Sequence, residues 1–201
     1  MPLAPKYLPA TERRSATVDA VVALAALHNP SEITTTAIAE QMGLTQGALF
    51  KHFPSKDAIL EAVMDWVAES LMSRVDKAVA AASSPLQALE SLFMAHVQFV
   101  ASHPGVPRIV FAELQRAKPS GTRRVVDRLL RRYSERVSQL ISDAKARGEV
   151  AAFIDTESAA VLFVGTIQGL VMQSLVHGDV KRILRHAPRV FVIYRRGIGS
   201  V

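Results

Sequence analysis

The chain has 201 residues, of which 49% are hydrophobic, and its mean hydropathy is +0.19. This composition excludes a disordered or fibrous chain and is sufficient to bury one substantial core or two modest ones. A formal charge of +6 and a pI near 10.0 favour a polyanionic partner, while the lack of cysteine excludes disulfides and thiolate chemistry.

The basic residues are unevenly distributed along the chain. Residues 1–56 contain five basic and four acidic side chains, whereas residues 116–136 contain eight basic and two acidic ones. Bulk charge therefore gives only weak support to DNA binding by the N-terminal part. A helix is predicted after Gly121, and we interpret its arginines as a solvated or interface face, with a second DNA surface as the alternative.

The first fourteen residues contain three prolines and no apolar run of the length that a secretory signal needs. The cytoplasm is therefore the expected location. The prolines predict either a disordered start or an extended arm from which Lys6, Arg13 and Arg14 reach a minor groove or phosphates. A first helix is predicted from about Thr11 to Leu27.

Residues 33–60 have the pattern of two short helices joined by a tight glycine turn and followed by a third helix. Thr34 can cap the first of these helices, and Gly43 can supply the left-handed backbone that ends it. Thr45 offers a second cap, to a helix over residues 46–50 that is too short to survive unless it is packed. This arrangement is typical of a helix-turn-helix DNA reader.

The same stretch closely resembles the DNA-binding domain of the TetR family of bacterial transcriptional regulators. The resemblance covers about residues 11–65, and its motifs are Ile38-Ala39, Gly43-Leu44, Gly47-Ala48-Leu49-Phe50 and Phe53-Pro54-Ser55-Lys56. The sequence departs from the family pattern at Phe50, where tyrosine is commoner, at His52 and at Asn29-Pro30. Phe50 has no hydroxyl to offer a phosphate, so that contact is not carried over.

The resemblance implies that each subunit inserts the helix from Thr45 to His52 into the major groove, with the two readers about one DNA turn apart. Gln46 is the predicted reader of a base edge, whereas the predicted phosphate contacts include Lys51 and Lys56. The full predicted DNA-binding set is Thr34, Thr36, Thr45, Gln46, Gly47, Lys51, His52 and Lys56.

Ser55 is predicted to cap a long fourth helix that ends near Ala82. Apolar residues recur in it every four positions, so they form a stripe that winds through about 200° along a rod of about 40 Å. The stripe consists of Ile59, Val63, Val67, Leu71, Val75 and Val79. We predict that the two halves of this helix pack on different domains, with packing inside a single bundle as the alternative.

The remainder of the chain has helical periodicity, and strand signals are nearly absent. Residues 158–176 contain no charge, and at this length a membrane helix is an alternative to a buried one. We favour a helix covered by its own domain and by a second subunit, with Gly165 and Gly169 permitting close backbone approach. Pro188 is predicted to bend or divide the last helix.

These observations predict an all-α fold of about nine helices. Residues 1–54 form an N-terminal three-helix helix-turn-helix DNA-binding domain with its arm, and residues 55–201 form a C-terminal helical ligand-binding and dimerisation domain. In the resembled family the last two long helices pair with their mates in a four-helix dimer interface. The interface residues predicted here are Phe163, Gly165, Gly169, Met172, Val190 and Tyr194.

The sequence contains no phosphate-binding glycine loop, no His-Glu-x-x-His and no Gly-x-Ser-x-Gly motif. We therefore predict no enzymatic activity, no metal and no cofactor. The resemblance implies an effector cavity in the C-terminal domain, and a mostly apolar lining favours a hydrophobic or aromatic small molecule. The candidates, each of which ordinary core packing also explains, are Val67, Leu71, Phe93, His96, Val97, Val100, Phe111, Leu114, Gln115 and Gln168.

The resulting hypothesis is a cytoplasmic, homodimeric regulator that binds a pseudo-palindromic operator in double-stranded DNA. It is expected to act as a repressor that a small effector releases from the operator. The alternative is a helical small-molecule-binding or membrane-associated protein in which the helix-turn-helix is only a scaffold.

Overall fold

The computed structural model of the chain describes residues 10–200, which form nine helices and one isolated antiparallel bridge between Val150 and Gly199. The all-α prediction is confirmed. The helices are α1 (Ala10–Leu27), α2 (Thr35–Gln41), α3 (Gln46–Phe50), α4 (Lys56–Ala80), α5 (Pro85–Ser102), α6 (Gly105–Leu114), α7 (Gly121–Ala146), α8 (Thr156–Val176) and α9 (Arg182–Ile198).

The described residues form two compact units. Unit 1 comprises residues 10–68 and 103–127, and unit 2 comprises residues 69–102 and 128–200. Two long helices, α4 and α7, therefore contribute residues to both units. The domain boundary predicted after residue 54 concerns functional domains and stays a prediction.

The ends of α2 and α3 follow from capping residues that the sequence identified. The Thr34 hydroxyl accepts the N–H of Ala37 at 3.1 Å, and the Thr45 hydroxyl accepts the N–H of Ala48 at 3.2 Å. Gly43 has a φ of +65°, a left-handed conformation that a residue with a Cβ adopts only under strain. The two predicted caps and the glycine turn are confirmed.

The apolar stripe of α4 is buried along almost its whole length. Ile59 and Val63 are fully buried in unit 1, Leu71 and Val75 are buried in unit 2, and only Val79 is partly exposed. The helix starts at Lys56, where the Ser55 hydroxyl accepts the N–H of Ala58 at 3.1 Å. The two halves of α4 therefore belong to different units, and their assignment to different functional domains stays a prediction.

In unit 1, α6 lies against α1 at a distance that only glycine permits. A Cβ on Gly105 would meet the carbonyl oxygen of Val22 at 2.1 Å and the amide nitrogen of Ala26 at 2.9 Å. α6 begins at Gly105, so the residue that starts the helix also permits its close contact with α1.

Aromatic side chains form the centre of unit 2. The ring of Phe93 on α5 contacts the rings of Phe163 on α8 and Phe191 on α9, each with centroids 5.3 Å apart. Tyr194 joins the same cluster and donates its hydroxyl proton to the carbonyl oxygen of Ala159 at 3.0 Å. Edge-to-face packing of this kind stabilises a core beyond the burial of apolar area.

One helix in the described part of the chain, α8, has the length and apolar composition of a membrane span, and 39% of its most apolar window is buried. Its buried face includes Phe163, Ile167 and Val171, whereas Val161 and Leu162 are exposed. One face of α8 therefore packs in the protein core, and the other is an exposed apolar surface of the kind that marks an interaction site.

The last helix is continuous, so a division at Pro188 is wrong, whereas the alternative, a bend at Pro188, stays a prediction. Proline lacks the N–H that would bond the carbonyl of Leu184, and an interior proline normally weakens a helix. Both residues are exposed, so water can satisfy that carbonyl, while the buried Ala187 and Phe191 anchor the helix on either side.

Candidate nucleic-acid interface

The short helix α3 has one buried and one exposed side. Leu49 and the following Phe53 are 1% and 2% exposed, which anchors the helix in unit 1. Seven of the eight residues predicted to bind DNA are exposed, and the eighth, Lys56, is partly buried. The seven exposed residues are Thr34, Thr36, Thr45, Gln46, Gly47, Lys51 and His52.

The hydroxyl groups of Thr34 and Thr45 are already committed as caps, which limits what else they can do. Each accepts one backbone N–H, and a hydroxyl in that position still has its own proton to donate. A phosphate oxygen is a suitable acceptor for that proton. Gly47 has open space within 4 Å of the position of a Cβ, so another molecule can approach the backbone closely there.

A hydrogen bond between α2 and α3 involves the predicted base reader. Nε2 of Gln46 donates to the Thr35 hydroxyl oxygen at 2.6 Å. The sequence interpretation missed Thr35, because the two residues are eleven positions apart and their proximity depends on how the helices cross. The only signal in the sequence was a third threonine between the two residues, Thr34 and Thr36, that were selected.

Lys56 differs from the other cation of this surface. Its ammonium group donates to the carbonyl oxygen of Ser31 at 3.2 Å, whereas Lys51 is exposed. The pKa of Lys56 is lowered, chiefly by burial, although the neighbouring carboxylate of Asp57 acts in the opposite direction. The role of Lys56 as a phosphate contact stays a prediction.

Of the three basic residues assigned to an N-terminal arm, two belong to α1. The guanidinium of Arg14 lies over the ring of Phe53, 5.4 Å from its centroid, and Arg13 is partly buried on the same helix. Arg14 therefore packs on the core of the helix-turn-helix. The predicted contact of Lys6 lies outside the described residues.

An ionic network at the first turn of α4 was also missed. Arg116 donates to Asp57 through both terminal nitrogens, at 2.8 and 3.5 Å, and to Glu113 at 3.4 Å. Glu113 is buried and accepts the Ser120 hydroxyl proton. The hydrogen bond from Arg116 is the main cause of a lowered pKa at Asp57. In the sequence, Arg116 contributed only to the positive charge counted over residues 116–136.

His96, one of the three polar ligand candidates, has a specific partner in unit 2. Its Nδ1 lies 2.9 Å from the hydroxyl oxygen of Tyr133, and burial lowers the pKa of His96 to about 4. Burial also raises the pKa of Tyr133. A buried tyrosine hydroxyl normally requires a partner, and His96 supplies one to Tyr133.

The ten ligand candidates do not share one environment. Leu71, Phe93, Val97 and Val100 are buried in unit 2, and His96 is partly buried in the same unit. The others are Val67, Phe111, Leu114 and Gln115 in unit 1, and Gln168 on the exposed side of α8.

Three ligand candidates lie at the protein surface. Leu114 is 47% exposed, and Gln115 and Gln168 are exposed as well. α6 ends at Leu114, and Gln115 is its C-terminal cap. The ligand set as a whole stays a prediction. The described residues contain no cluster of three or more acidic, histidine or cysteine side chains suited to a metal ion.

The six candidates for the dimer interface divide between core and surface. Phe163 and Tyr194 are buried in the aromatic cluster of unit 2, whereas Met172 is 45% exposed. Gly165 is exposed, and Gly169 and Val190 are partly exposed. The interface assignment stays a prediction.

Three residues that the sequence interpretation did not select extend the exposed apolar surface of α8 and α9. Val161, Leu162 and Ile193 are 67%, 57% and 71% exposed. Val161 and Leu162 could have been identified from the helical spacing of three to four residues that separates the exposed face of this uncharged helix from its buried face.

An all-α protein whose short second helix of a helix-turn-helix presents polar residues outward belongs to the class of DNA-binding regulators. Comparison with known families agrees. The model of bacterial regulatory proteins of the tetR family matches residues 18–63, and that of the tetracyclin repressor-like C-terminal domain matches residues 110–190. The chain belongs to the TetR family and is a DNA-binding transcriptional regulator.

Curated relatives and solved structures are consistent with this assignment. The chain is 28% identical over 139 residues to the nucleoid occlusion factor SlmA of Aliivibrio fischeri strain MJ11, covering 69% of this chain and 71% of the relative. The corresponding factor of Marinomonas sp. strain MWYL1 is 24% identical over 160 residues, which is 80% of this chain and 81% of the relative.

Among solved structures, the fatty acid degradation regulator FadR of Bacillus halodurans has a TM-score of 0.83 at 18% identity, with 96% of this chain and 97% of that chain covered. FadR of Bacillus subtilis, solved in complex with stearoyl-CoA, has a TM-score of 0.80 at 18% identity over 92% and 98% of the two chains. At these identities the likeness establishes a shared fold.

The pKa of His96 predicts a pH-dependent stability. Its ordinary value is 6.5 and its folded value about 4, so in this interval the unfolded chain binds a proton that the folded protein excludes. The free energy of unfolding should therefore decrease as the pH falls, by about 2 kcal/mol between roughly pH 7.5 and pH 5 from this residue. Urea unfolding at fixed protein concentration measures it.

Two variants distinguish the titration of His96 from the loss of its hydrogen bond to Tyr133 as the cause of this pH dependence. His96→Gln should show a flatter pH dependence than the wild type. Tyr133→Phe should lose stability at every pH, by about 1–3 kcal/mol for an unpaired buried group, but should retain the steep dependence because burial causes the shift. Parallel curves for wild type and His96→Gln would contradict the assignment.

Proposed function

We propose that the protein is a homodimeric repressor that reads a pseudo-palindromic operator through α3 of each subunit and leaves it when a small hydrophobic effector binds. The observation that carries this proposal is the two-sided nature of α3. Leu49 holds the helix in the core while Gln46, Lys51 and His52 are exposed. The proposal places the protein in the cytoplasm and includes no catalytic reaction.

The exposed residues of α3 have distinct roles in this proposal. Gln46 has a carboxamide, which can form two hydrogen bonds with one base edge in the major groove. Lys51 and His52 follow at the end of the helix, where they contact phosphates and fix the register of the protein on the duplex. The exposed Thr34, Thr36 and Thr45 donate hydrogen bonds from their neutral hydroxyl groups to the phosphates of the DNA backbone.

Replacing Lys51 tests DNA binding through this surface. Lys51→Ala should weaken binding to operator and unrelated DNA by similar factors, because a phosphate contact carries no sequence information. The plot of log affinity against log salt concentration should become shallower by about 1. Fluorescence anisotropy at several salt concentrations, on an operator selected from a random DNA pool, measures both quantities.

Lys77→Ala is the matched control for Lys51→Ala. Lys77 is an exposed lysine near the end of α4 in unit 2, so the charge change is the same but the site is elsewhere. It should retain the affinity and salt dependence of the wild type. If both lysine variants behaved alike, or if Lys51→Ala left the salt dependence unchanged, α3 would not be the DNA-binding surface.

The proposed dimer uses the exposed sides of α8 and α9. Val161, Leu162 and Met172 on α8 and Ile193 on α9 are all exposed, and an apolar surface of this kind marks an interaction site. Gly165 and Gly169 have open space at the position of a Cβ, which allows the backbone of a second helix to approach. A second copy of the chain would satisfy this surface by two-fold symmetry.

Introducing charge on this surface should dissociate the dimer. Met172→Glu places a carboxylate in an apolar interface, where its desolvation is unfavourable, so the protein should become monomeric at micromolar concentration. Operator affinity should fall by about tenfold or more because the two readers are no longer linked. Light scattering after gel filtration gives the mass, and anisotropy gives the affinity.

Leu27→Glu is the control for Met172→Glu. Leu27 is an exposed leucine at the end of α1 in unit 1, and it lies outside the proposed interface. This variant should retain the mass of the wild type. A monomeric wild type, or a Met172→Glu variant that stays dimeric, would exclude the proposed interface.

A hydrophobic effector is supported by the lining candidates and by one structural relative. Leu71, Phe93, Val97 and Val100 are buried apolar residues of unit 2, and His96 supplies a polar group in the same unit. The Bacillus subtilis FadR structure, which shares this fold, holds stearoyl-CoA. We propose an acyl or similarly apolar ligand, with α4 conveying the change because this helix contributes residues to both units.

Stearoyl-CoA is therefore the first probe of effector release. Adding it to the protein bound to labelled operator should reduce operator affinity, since an effector acts through its preference for a state that binds DNA poorly. Free coenzyme A and stearate are the controls that separate the headgroup from the chain. If stearoyl-CoA raised the melting temperature of the protein but left operator affinity unchanged, ligand-released repression would be contradicted.

The name of the curated relatives supports a second candidate function. Matches to nucleoid occlusion factors cover 69% to 85% of the chain at 24% to 28% identity. The shared requirement is DNA binding, so the two candidates differ in what the bound protein does. Deletion of the gene should change transcription of genes next to operator sites if the protein is a repressor, and the position of division relative to the nucleoid if it is an occlusion factor.

A further inference from the structure

We propose that Thr35 is a positioning residue that orients the carboxamide of Gln46 and thereby selects adenine over guanine at one operator position. The inference deepens the proposed function, because it rests on Gln46 being a base reader. Thr35 itself need not touch a base. Its role is to determine which atoms of Gln46 the DNA meets.

The hydrogen bond that supports this role connects two helices of the reader. Nε2 of Gln46 donates to Oγ1 of Thr35 at 2.6 Å, a short distance for a bond of this type. Thr35 is the first residue of α2, and Gln46 is the first residue of α3. Both positions are therefore set by capped helix starts, with Thr34 and Thr45 as the caps.

The side chains differ in exposure in a way that suits the proposed roles. Thr35 is partly buried and β-branched, so its hydroxyl has few positions available. Gln46 is exposed, and its long side chain has considerable freedom unless something holds its end. The hydrogen bond to the stiff side chain of Thr35 therefore restricts the carboxamide at the end of the flexible Gln46 side chain.

The consequence for base reading follows from the atoms of a carboxamide. Gln46 has two N–H donors and one oxygen acceptor, and Thr35 occupies one of the donors. One donor and one acceptor remain, which match N7 and the N6 amino group of adenine. Guanine presents two acceptors, N7 and O6, in the major groove and would require both donors from the carboxamide.

Loss of the Thr35 hydroxyl would remove this restriction. A free Gln46 can turn its carboxamide and present both N–H groups to guanine, so discrimination between the two purines should decrease. Because the bond joins residues at the protein surface, it contributes little to folding, and its loss should change specificity more than stability. These two effects can be measured separately.

The experiment uses the full-length protein and an operator selected from a random DNA pool by the wild type. Binding of Gln46→Ala to single-base variants of that operator identifies the base pair that Gln46 reads. The ratio of affinities for adenine and guanine at this position is then measured for wild type, Thr35→Val and Thr35→Ser. Thermal unfolding of each variant confirms that it is folded.

Thr35→Val should reduce the adenine preference by about fivefold or more, which corresponds to the lower end of the discrimination attributed to one bidentate contact. Thr35→Ser, which retains a hydroxyl, should preserve most of it. In a Gln46→Ala background Thr35→Val should cause no further loss of preference, because the group that Thr35 orients is already absent.

Three results would overturn the inference. The first is an unchanged preference in Thr35→Val. The second is an equal loss of affinity, in Thr35→Val, for the operators with adenine and with guanine at this position, together with a shallower salt dependence. That result would make Thr35 a phosphate contact. The third is equal loss in Thr35→Val and Thr35→Ser. If instead Gln46→Ala altered no base preference while the protein still bound DNA, the base-reading role of Gln46 would fail first.

Discussion

The reading surface depends on the packing of one very short helix. α3 has five residues, too few to be stable alone, so the burial of Leu49 and of the adjacent Phe53 determines both its existence and its rotation. Leu49 is buried, whereas Gln46, in the first turn of the same helix, is exposed. Gly43 makes the preceding turn possible through its left-handed backbone. The burial of Leu49 and Phe53 thus holds in place the short helix that exposes Gln46.

The first turn of α4 adds a second constraint next to the reader. Arg116 forms a two-nitrogen contact with Asp57 and also bonds the buried Glu113, so the segment after α6 is tied to the start of α4. Lys56, the residue before Asp57, is held by a backbone carbonyl. An ionic network of this kind makes the geometry near the DNA-binding surface sensitive to the position of α6. Glu113 is the buried member of this network, whereas the Arg116–Asp57 pair is exposed and is screened by water.

Local signals predicted the fold well, and contacts between helices were harder to predict. The caps at Thr34 and Thr45 and the turn at Gly43 depend on neighbouring residues, so the sequence contains all the information needed. The hydrogen bond from Gln46 to Thr35 and the ion pair of Arg116 with Asp57 connect residues that are 11 and 59 positions apart. Their proximity follows from the packing of helices, which residue periodicity does not specify.

The near balance of charge in residues 1–56 has a consequence for specificity. With five basic and four acidic side chains, this region attracts the phosphate backbone weakly, and Lys56 is already engaged with Ser31. A reader with little electrostatic affinity for arbitrary DNA depends more on its few directed contacts and on the linkage of two subunits. In the proposed mode of binding, the orientation of the Gln46 carboxamide then has a larger share in operator choice than it would have on a strongly basic surface.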